Sequence, residues 1–150
     1  MNLYLMRHGE ARSKEVDRDR PLTEEGRSEV VKIASFINIK AHSIWVSNKL
    51  RAQQTAEILK EHRFCDDIVE REDLAPNDPV NAVYSDILNH HSNLIIVGHI
   101  PFLPYLASNL LSLSEDSVGI DFNTASVLSL EGKGKSWVIS WLINADLITV

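Results

Sequence analysis

Short apolar runs recur along this chain, and several of them stop on a charged or imidazole side chain. Met1 to Met6 is almost wholly apolar, which suits a strand buried on both faces, and it ends at Arg7-His8-Gly9-Glu10. Glu10 to Arg20 is polar and without an apolar period, so it reads as a loop. Pro21 disfavours a helical Arg20, Thr23 is a good N-cap, and Val30, Ile33, Ala34 and Ile37 follow at helical spacing, predicting a helix over about 24–38. Ser43 to Ser47 is the second strand, and Ser47 or Asn48 caps a helix whose Ala52, Thr55, Ala56 and Leu59 share a face and whose first turn holds Arg51. Ile68 to Arg71 is a weak third strand, and Pro76 and Pro79 interrupt regular structure after it. Val80, Val83, Tyr84, Ile87 and Leu88 mark a helix ending near His90-His91.

The clearest segment comes next. Asn93 to Val97 is a buried strand, Gly98-His99 turns the chain, and Pro101 suits the first position of a helix carrying Leu103, Leu106, Ala107, Leu110 and Leu111. Thr124–Leu130 and Ser136–Ile143 are two further strands joined through Glu131 to Lys135 as a hairpin, with Trp137 and Trp141 spaced to share one core face. Strands alternating with helices and closed by a hairpin predict an α/β fold: a three-layer α/β/α sandwich on a mostly parallel sheet, one domain over 1–150.

Composition narrows the functions open to such a fold. Hydrophobic content of 44% and charged content of 24% are those of a globular protein. A formal charge of −6, without a basic run, argues against a nucleic-acid partner, so any anionic ligand has to be attracted locally. Cys65 is the single cysteine, which rules out an internal disulfide and fits a reducing compartment; beside Asp66 and Asp67 it has no setting for a nucleophile. No apolar run is long enough to span a bilayer, and a cytoplasmic location is the expectation.

Candidate chemistry gathers at three strand ends. Arg7 and His8, Arg51, and His99 each stand at the carboxyl end of a strand, and such ends open on one edge of a parallel sheet. Two guanidiniums match phosphate oxygens, two imidazoles provide a nucleophile and a donor, and Gly9 lets the turn pass close to a ligand. This set suits phosphoryl transfer with no metal and no cofactor. His90-His91 with Asp86 invites a metal reading, but adjacent helical residues point apart, and His42 and His62 have no partner that suggests chemistry.

Four ordered motifs carry a resemblance: Leu5-Met6-Arg7-His8-Gly9-Glu10-Ala11, Arg20-Pro21-Leu22-Thr23-Glu24-Glu25-Gly26, Ser47-Asn48-Lys49-Leu50-Arg51-Ala52-Gln53-Gln54-Thr55-Ala56, and Val97-Gly98-His99-Ile100-Pro101. With them the chain resembles the histidine phosphatase superfamily, the phosphoglycerate mutase-like branch 1, and especially its short phosphohistidine phosphatases of the SixA type. The resemblance implies a phosphoglycerate mutase-like fold, transient phosphorylation of His8, and Arg7, Arg51 and His99 holding the transferred group. It also implies that Arg20 reaches the pocket rim to bind substrate, a residue standing equally well as an exposed loop arginine; Gly9, at its turn, is the other expected substrate-binding residue.

Two departures are visible. Asn48 stands where the family often has proline. Many ester-cleaving relatives place a glutamate after the third strand, whereas here the loop reads Leu74-Ala75-Pro76-Asn77-Asp78. Asp78 and Glu10 are the candidate general acids, competing with a turn role for Asp78 and a solvent-facing one for Glu10. The expectation is a monomeric, metal-independent phosphatase acting on a phosphohistidine-bearing protein such as a phosphotransfer domain in signal transduction. A phosphomonoesterase for small esters and a non-catalytic phosphoprotein-binding module are the alternatives.

Overall fold

The computed structural model describes residues 1–115 and 119–148. Six strands form one sheet: β1 (Asn2–Arg7), β2 (Ser43–Ser47), β3 (Ile68–Arg71), β4 (Leu94–Gly98), β5 (Val127–Lys133) and β6 (Ser136–Ile143). Their spatial order is β3-β2-β4-β1-β5-β6, with the first four parallel and β5 and β6 antiparallel. Four helices connect the strands: α1 (Glu24–Phe36), α2 (Leu50–Glu61), α3 (Asn81–Leu88) and α4 (Phe102–Leu110).

Strand periodicity sorts the core into two layers. Tyr4 and Met6 of β1 face one side with Ile44, Val46, Ile95 and Val97, under Val30, Ile33, Ala52, Ala56 and Leu59 of α1 and α2. Leu3 and Leu5 face the other with Leu94 and Ile96, under Val83 and Ile87 of α3 and Leu103, Leu106 and Leu110 of α4. Both sheet faces are therefore covered, as the apolar runs require, and the three-layer α/β sandwich is the observed architecture. Among the described residues no helix is long and apolar enough to cross a membrane. Cys65 is buried and free, and burial raises its thiol pKa.

Several boundaries differ from those expected. Strand β5 begins at Val127, because Ala125 at φ 61° makes a turn there, and it runs on through Glu131 and Gly132 to Lys133. Lys133 pairs with Ser136, which leaves Gly134-Lys135 as the two-residue hairpin turn, with Gly134 at a φ of 60°. Pro101 is the N-cap of α4 rather than its first residue. Lys49, not Ser47 or Asn48, occupies the N-cap of α2.

The two tryptophans of β6 are also placed differently. Opposite Ser129 and Leu130 the register jumps from Trp141 to Ile139, so Ser140 is an extra residue in β6. That one residue reverses the alternation, placing Trp137 in the core beneath α3 and α4 while Trp141 packs on the α1 and α2 side with its ring 6.0 Å from Tyr4.

Candidate active site

Strand order brings the predicted side chains together. Arg7 is paired in register with Gly98, and Val46 with Val97, so the carboxyl ends of β1, β4 and β2 lie side by side. Helices α1 and α4, which follow the neighbouring strands β1 and β4, cover opposite faces of the sheet. The crevice between these two strands is the switch point at which open α/β sheets place ligands.

His8 lies at its centre, 6% exposed. Its backbone N–H donates to Gly98 O at 3.1 Å, tying the end of β1 to the end of β4. The Nδ1 atom contacts Gly9 O at 2.7 Å, and Nε2 accepts from Arg51 Nε at 3.3 Å. A carbonyl only accepts and a guanidinium only donates, so the proton sits on Nδ1 and Nε2 keeps its lone pair. Burial first, then Arg51, Arg7 and Arg20, lower the His8 pKa to about 4, against the smaller opposing effect of the Gly9 carbonyl.

His99 closes the other side, its ring centre 5.1 Å from that of His8. Its Nε2 lies 2.8 Å from Ser47 Oγ, which also accepts from Lys49 N–H at 3.2 Å. Burial, followed by His8 and Arg51, lowers its pKa to about 3. Ser47 is fully buried at the end of β2, and this contact makes it a site residue that the sequence reading treated only as a helix cap. A serine ending an apolar strand whose neighbour ends in His99 was the signal available.

The guanidiniums are held from opposite directions. Arg7 Nη1 donates to Phe122 O at 2.9 Å, and Arg7 N–H donates to Ser126 O at 3.1 Å. Ala125 N–H is shared between Arg7 O and His8 O, so the turn at 122–126 clamps the end of β1. This clamp was not foreseen, since backbone carbonyls leave no trace in residue type. Arg51 projects from the first turn of α2, and burial lowers the pKa of both arginines while each stays cationic.

Arg20 joins the site. It lies at φ 52°, its Nε donates to Arg12 O at 2.9 Å, and its charge acts on Arg7, His8, Arg51 and His99. With Lys14 and Arg18 from the same loop, it stands across from Asn48, Lys49, Arg51 and Gln53 around an open recess of about 750 Å³. Antiparallel pairing of Ala11 with Leu22 holds that loop closed at its base.

Other expected residues do different work. Gly9 donates its N–H to Thr55 Oγ1 at 3.1 Å, and a Cβ there would lie 2.8 Å from Gly26 O, so glycine is required there for the approach of α1. The Glu10 carboxylate accepts from Thr23 Oγ at 3.0 Å and is spent at the start of α1. Asp78 Oδ2 accepts from Ala75 N–H at 2.9 Å, closing its own turn, and Asp78 does not line the recess. The members of the metal reading are separated too: Asp86 pairs with Arg71 at 2.7 Å, and His90 stands edge-on to Trp45.

Comparison with known proteins gives a family and a fold. Residues 3–76 match the sequence model of the histidine phosphatase superfamily (branch 1). No curated protein matches the sequence. Among solved structures, the protein histidine phosphatase SixA complexed with tungstate aligns at a TM-score of 0.81 and 23% identity, covering 98% of this chain and 99% of that one. The α-ribazole phosphatase from Shigella flexneri aligns at 0.78 and 17%, covering 97% of each chain. A phosphoserine phosphatase from Entamoeba histolytica, in complex with 3-phosphoglyceric acid, aligns at 0.74 and 16%, covering 94% of this chain and 95% of that one. These likenesses give the fold; their substrates differ from one another.

Proposed function

From the premise that the chain belongs to the histidine phosphatase superfamily (branch 1), we propose that it is a phosphohistidine phosphatase working through a covalent intermediate on His8. The observation that carries this is the pairing at His8, with Nδ1–H held by Gly9 O and the Nε2 lone pair directed to Arg51 between Arg7 and His99. An imidazole so held is deprotonated at neutral pH and faces the charges that would neutralise a phosphoryl group.

In the first step Nε2 of His8 forms a bond to phosphorus as the bond from phosphorus to the substrate's imidazole nitrogen breaks. The departing ring, protonated by solvent on its other nitrogen before the bond breaks, leaves as neutral imidazole. Water then attacks phosphorus, the bond to Nε2 breaks, and phosphate leaves with His8 restored. Arg7, Arg51 and His99 hold the equatorial oxygens through both transfers, and Ser47 keeps the His99 ring in place. Such chemistry needs no metal in the chain's own machinery.

Choice of leaving group follows from the carboxylates. Glu10 and Asp78 are each engaged in a hydrogen bond, the recess beside Arg51 is lined among the described residues by a single carboxylate, the exposed Asp19, and of the two carboxylates whose charge acts on Arg7, Asp121 and Glu29, the latter is held by Thr124 Oγ1 and Glu10 N–H. An alkoxide leaves poorly without a positioned acid, which contributes roughly 10² to 10⁴ in rate, whereas a phosphohistidine ring that carries a proton on its other nitrogen leaves as neutral imidazole, whose conjugate acid has a pKa of about 6.5. This supports a phosphohistidine on a protein as the substrate, of the kind carried by phosphotransfer domains in signalling.

The test is kcat/KM on a phosphohistidine protein and on serine, threonine and sugar phosphates. A preference for phosphohistidine of about 10²-fold or more is expected. Equal or better turnover of the esters would identify a phosphomonoesterase instead, and phosphoprotein binding without turnover would identify a binding module.

A further inference from the structure

Beyond the four central side chains, the recess has a charge balance at odds with the rest of the molecule. The chain carries a formal charge of −6, yet the recess is lined by Lys14, Arg18, Arg20, Lys49 and Arg51 against Asp19 alone. Lys14, Arg18 and Lys49 are exposed, and among the described residues no ion pair neutralises them. The loop supplying Lys14 and Arg18 also holds Glu15 and Asp17, but these do not line the recess. Asp17 is turned back on its own loop, accepting from Asp19 N–H at 3.0 Å.

The cations are also arranged in depth. Arg51 and Arg20 are half-buried, Arg51 donating to His8 and Arg20 acting on all four central groups, while the exposed Lys49 acts on His99. Lys14 and Arg18 stand further out on the loop. A single phosphoryl group is already served by Arg7, Arg51 and His99, so the outer cations face something beyond it. They form an open rim, which suits a surface laid across it more than a metabolite enclosed within it.

We infer that Lys14, Arg18 and Lys49 form a docking rim that selects a partner protein whose phosphohistidine is flanked by carboxylates. The inference rests on the phosphohistidine reading above and adds the chemistry of the surrounding partner surface. Charges at such a rim act mainly through encounter, raising kcat/KM and losing their effect in salt as the Debye length shrinks from about 10 Å at 0.1 M to about 3 Å at 1 M.

The experiment uses three synthetic phosphohistidine peptides, flanked by aspartates, by serines or by lysines, with the full chain and its Lys14→Glu, Arg18→Glu double variant. At low salt the wild type is expected to favour the aspartate peptide over the serine peptide by about tenfold in kcat/KM, and the lysine peptide to be the poorest. The preference should shrink toward unity near 1 M salt and be lost in the double variant, whose recess sets three carboxylates against Arg20, Lys49 and Arg51. Equal turnover of the three peptides, or a preference untouched by the charge reversal, overturns the docking rim. Failure to dephosphorylate any of the three, with an alkyl phosphate turned over, overturns the phosphohistidine reading beneath it. A circular dichroism melt of the variant matching wild type shows that a lost preference is not lost folding.

Discussion

The centre made by Arg7, His8, Arg51 and His99 and the rim made by Lys14, Arg18 and Lys49 are both cationic, under opposite conditions of solvation. His8 and His99 are buried, and Arg7 and Arg51 are partly so, each tied to a backbone carbonyl or a neighbouring ring. The rim side chains stand in water on a loop and a helix cap. Buried charge is little screened and stands against the reacting group, so it can stabilise a transition state; exposed charge is screened by salt, so it steers encounter at low ionic strength and loses its effect at high. Substitutions should separate the two regions by size of effect and by response to salt.

The sharpest break is His8→Ala. Phosphate release should fall by at least about 10³-fold, while vanadate or tungstate still binds through Arg7 and Arg51 within about tenfold of wild type. Single-turnover kinetics and inhibitor titration measure the two quantities, and near-normal turnover would end the covalent mechanism.

Next comes Arg51→Lys, which keeps the charge and loses the fork. It should cost about 10²-fold in kcat and respond little to salt, whereas Lys14→Gln should cost a few-fold in kcat/KM at low salt and nothing measurable in high salt.

The comparison also predicts a pH signature for the centre alone. Since burial lowers His8 from the ordinary 6.5 to about 4, Nε2 stays free and kcat/KM, as far as it follows His8, should hold through pH 6, declining only as pH approaches 4. Stability moves in the same sense. Between pH 6.5 and about 4 for His8, and between 6.5 and about 3 for His99, the unfolded chain binds protons that the folded chain refuses. Stability is thus full above 6.5 and is lost as pH falls, and His99→Asn should flatten that loss in denaturant titrations. Rim substitutions should leave it unchanged.

The smallest effect is expected from Asp78→Asn, within about twofold of wild type on phosphohistidine, because that carboxylate closes a turn with Ala75. A large loss confined to ester substrates would return Asp78 to the role of acid.

How far these regions could be read from the sequence differs for physical reasons. Arg7, His8, Arg51 and His99 were legible because apolar runs that stop abruptly show where strands end, and a parallel sheet forces those ends together. Ser47 was not, since a serine at a strand end looks the same whether its hydroxyl caps a helix or meets an imidazole. The turn at 122–126 acts through backbone carbonyls that any residue could offer. Gly9 was legible as a close approach, but not as one made to α1. The bulge at Ser140 defeats period-two reasoning, because one inserted residue exchanges the two faces without changing the apolar pattern.

That bulge also gives the molecule a pair of separate optical reporters. Trp137 and Trp141 sit four residues apart in β6, yet each is packed against a different layer of the core. With Trp45 and one of the pair changed to Phe, the fluorescence of the remaining indole should follow the α3 and α4 layer when it is Trp137, and the α1 and α2 layer when it is Trp141. Coincident denaturation curves from the two variants would show that both layers melt as one unit, and curves that part would time the loosening of one layer against the other.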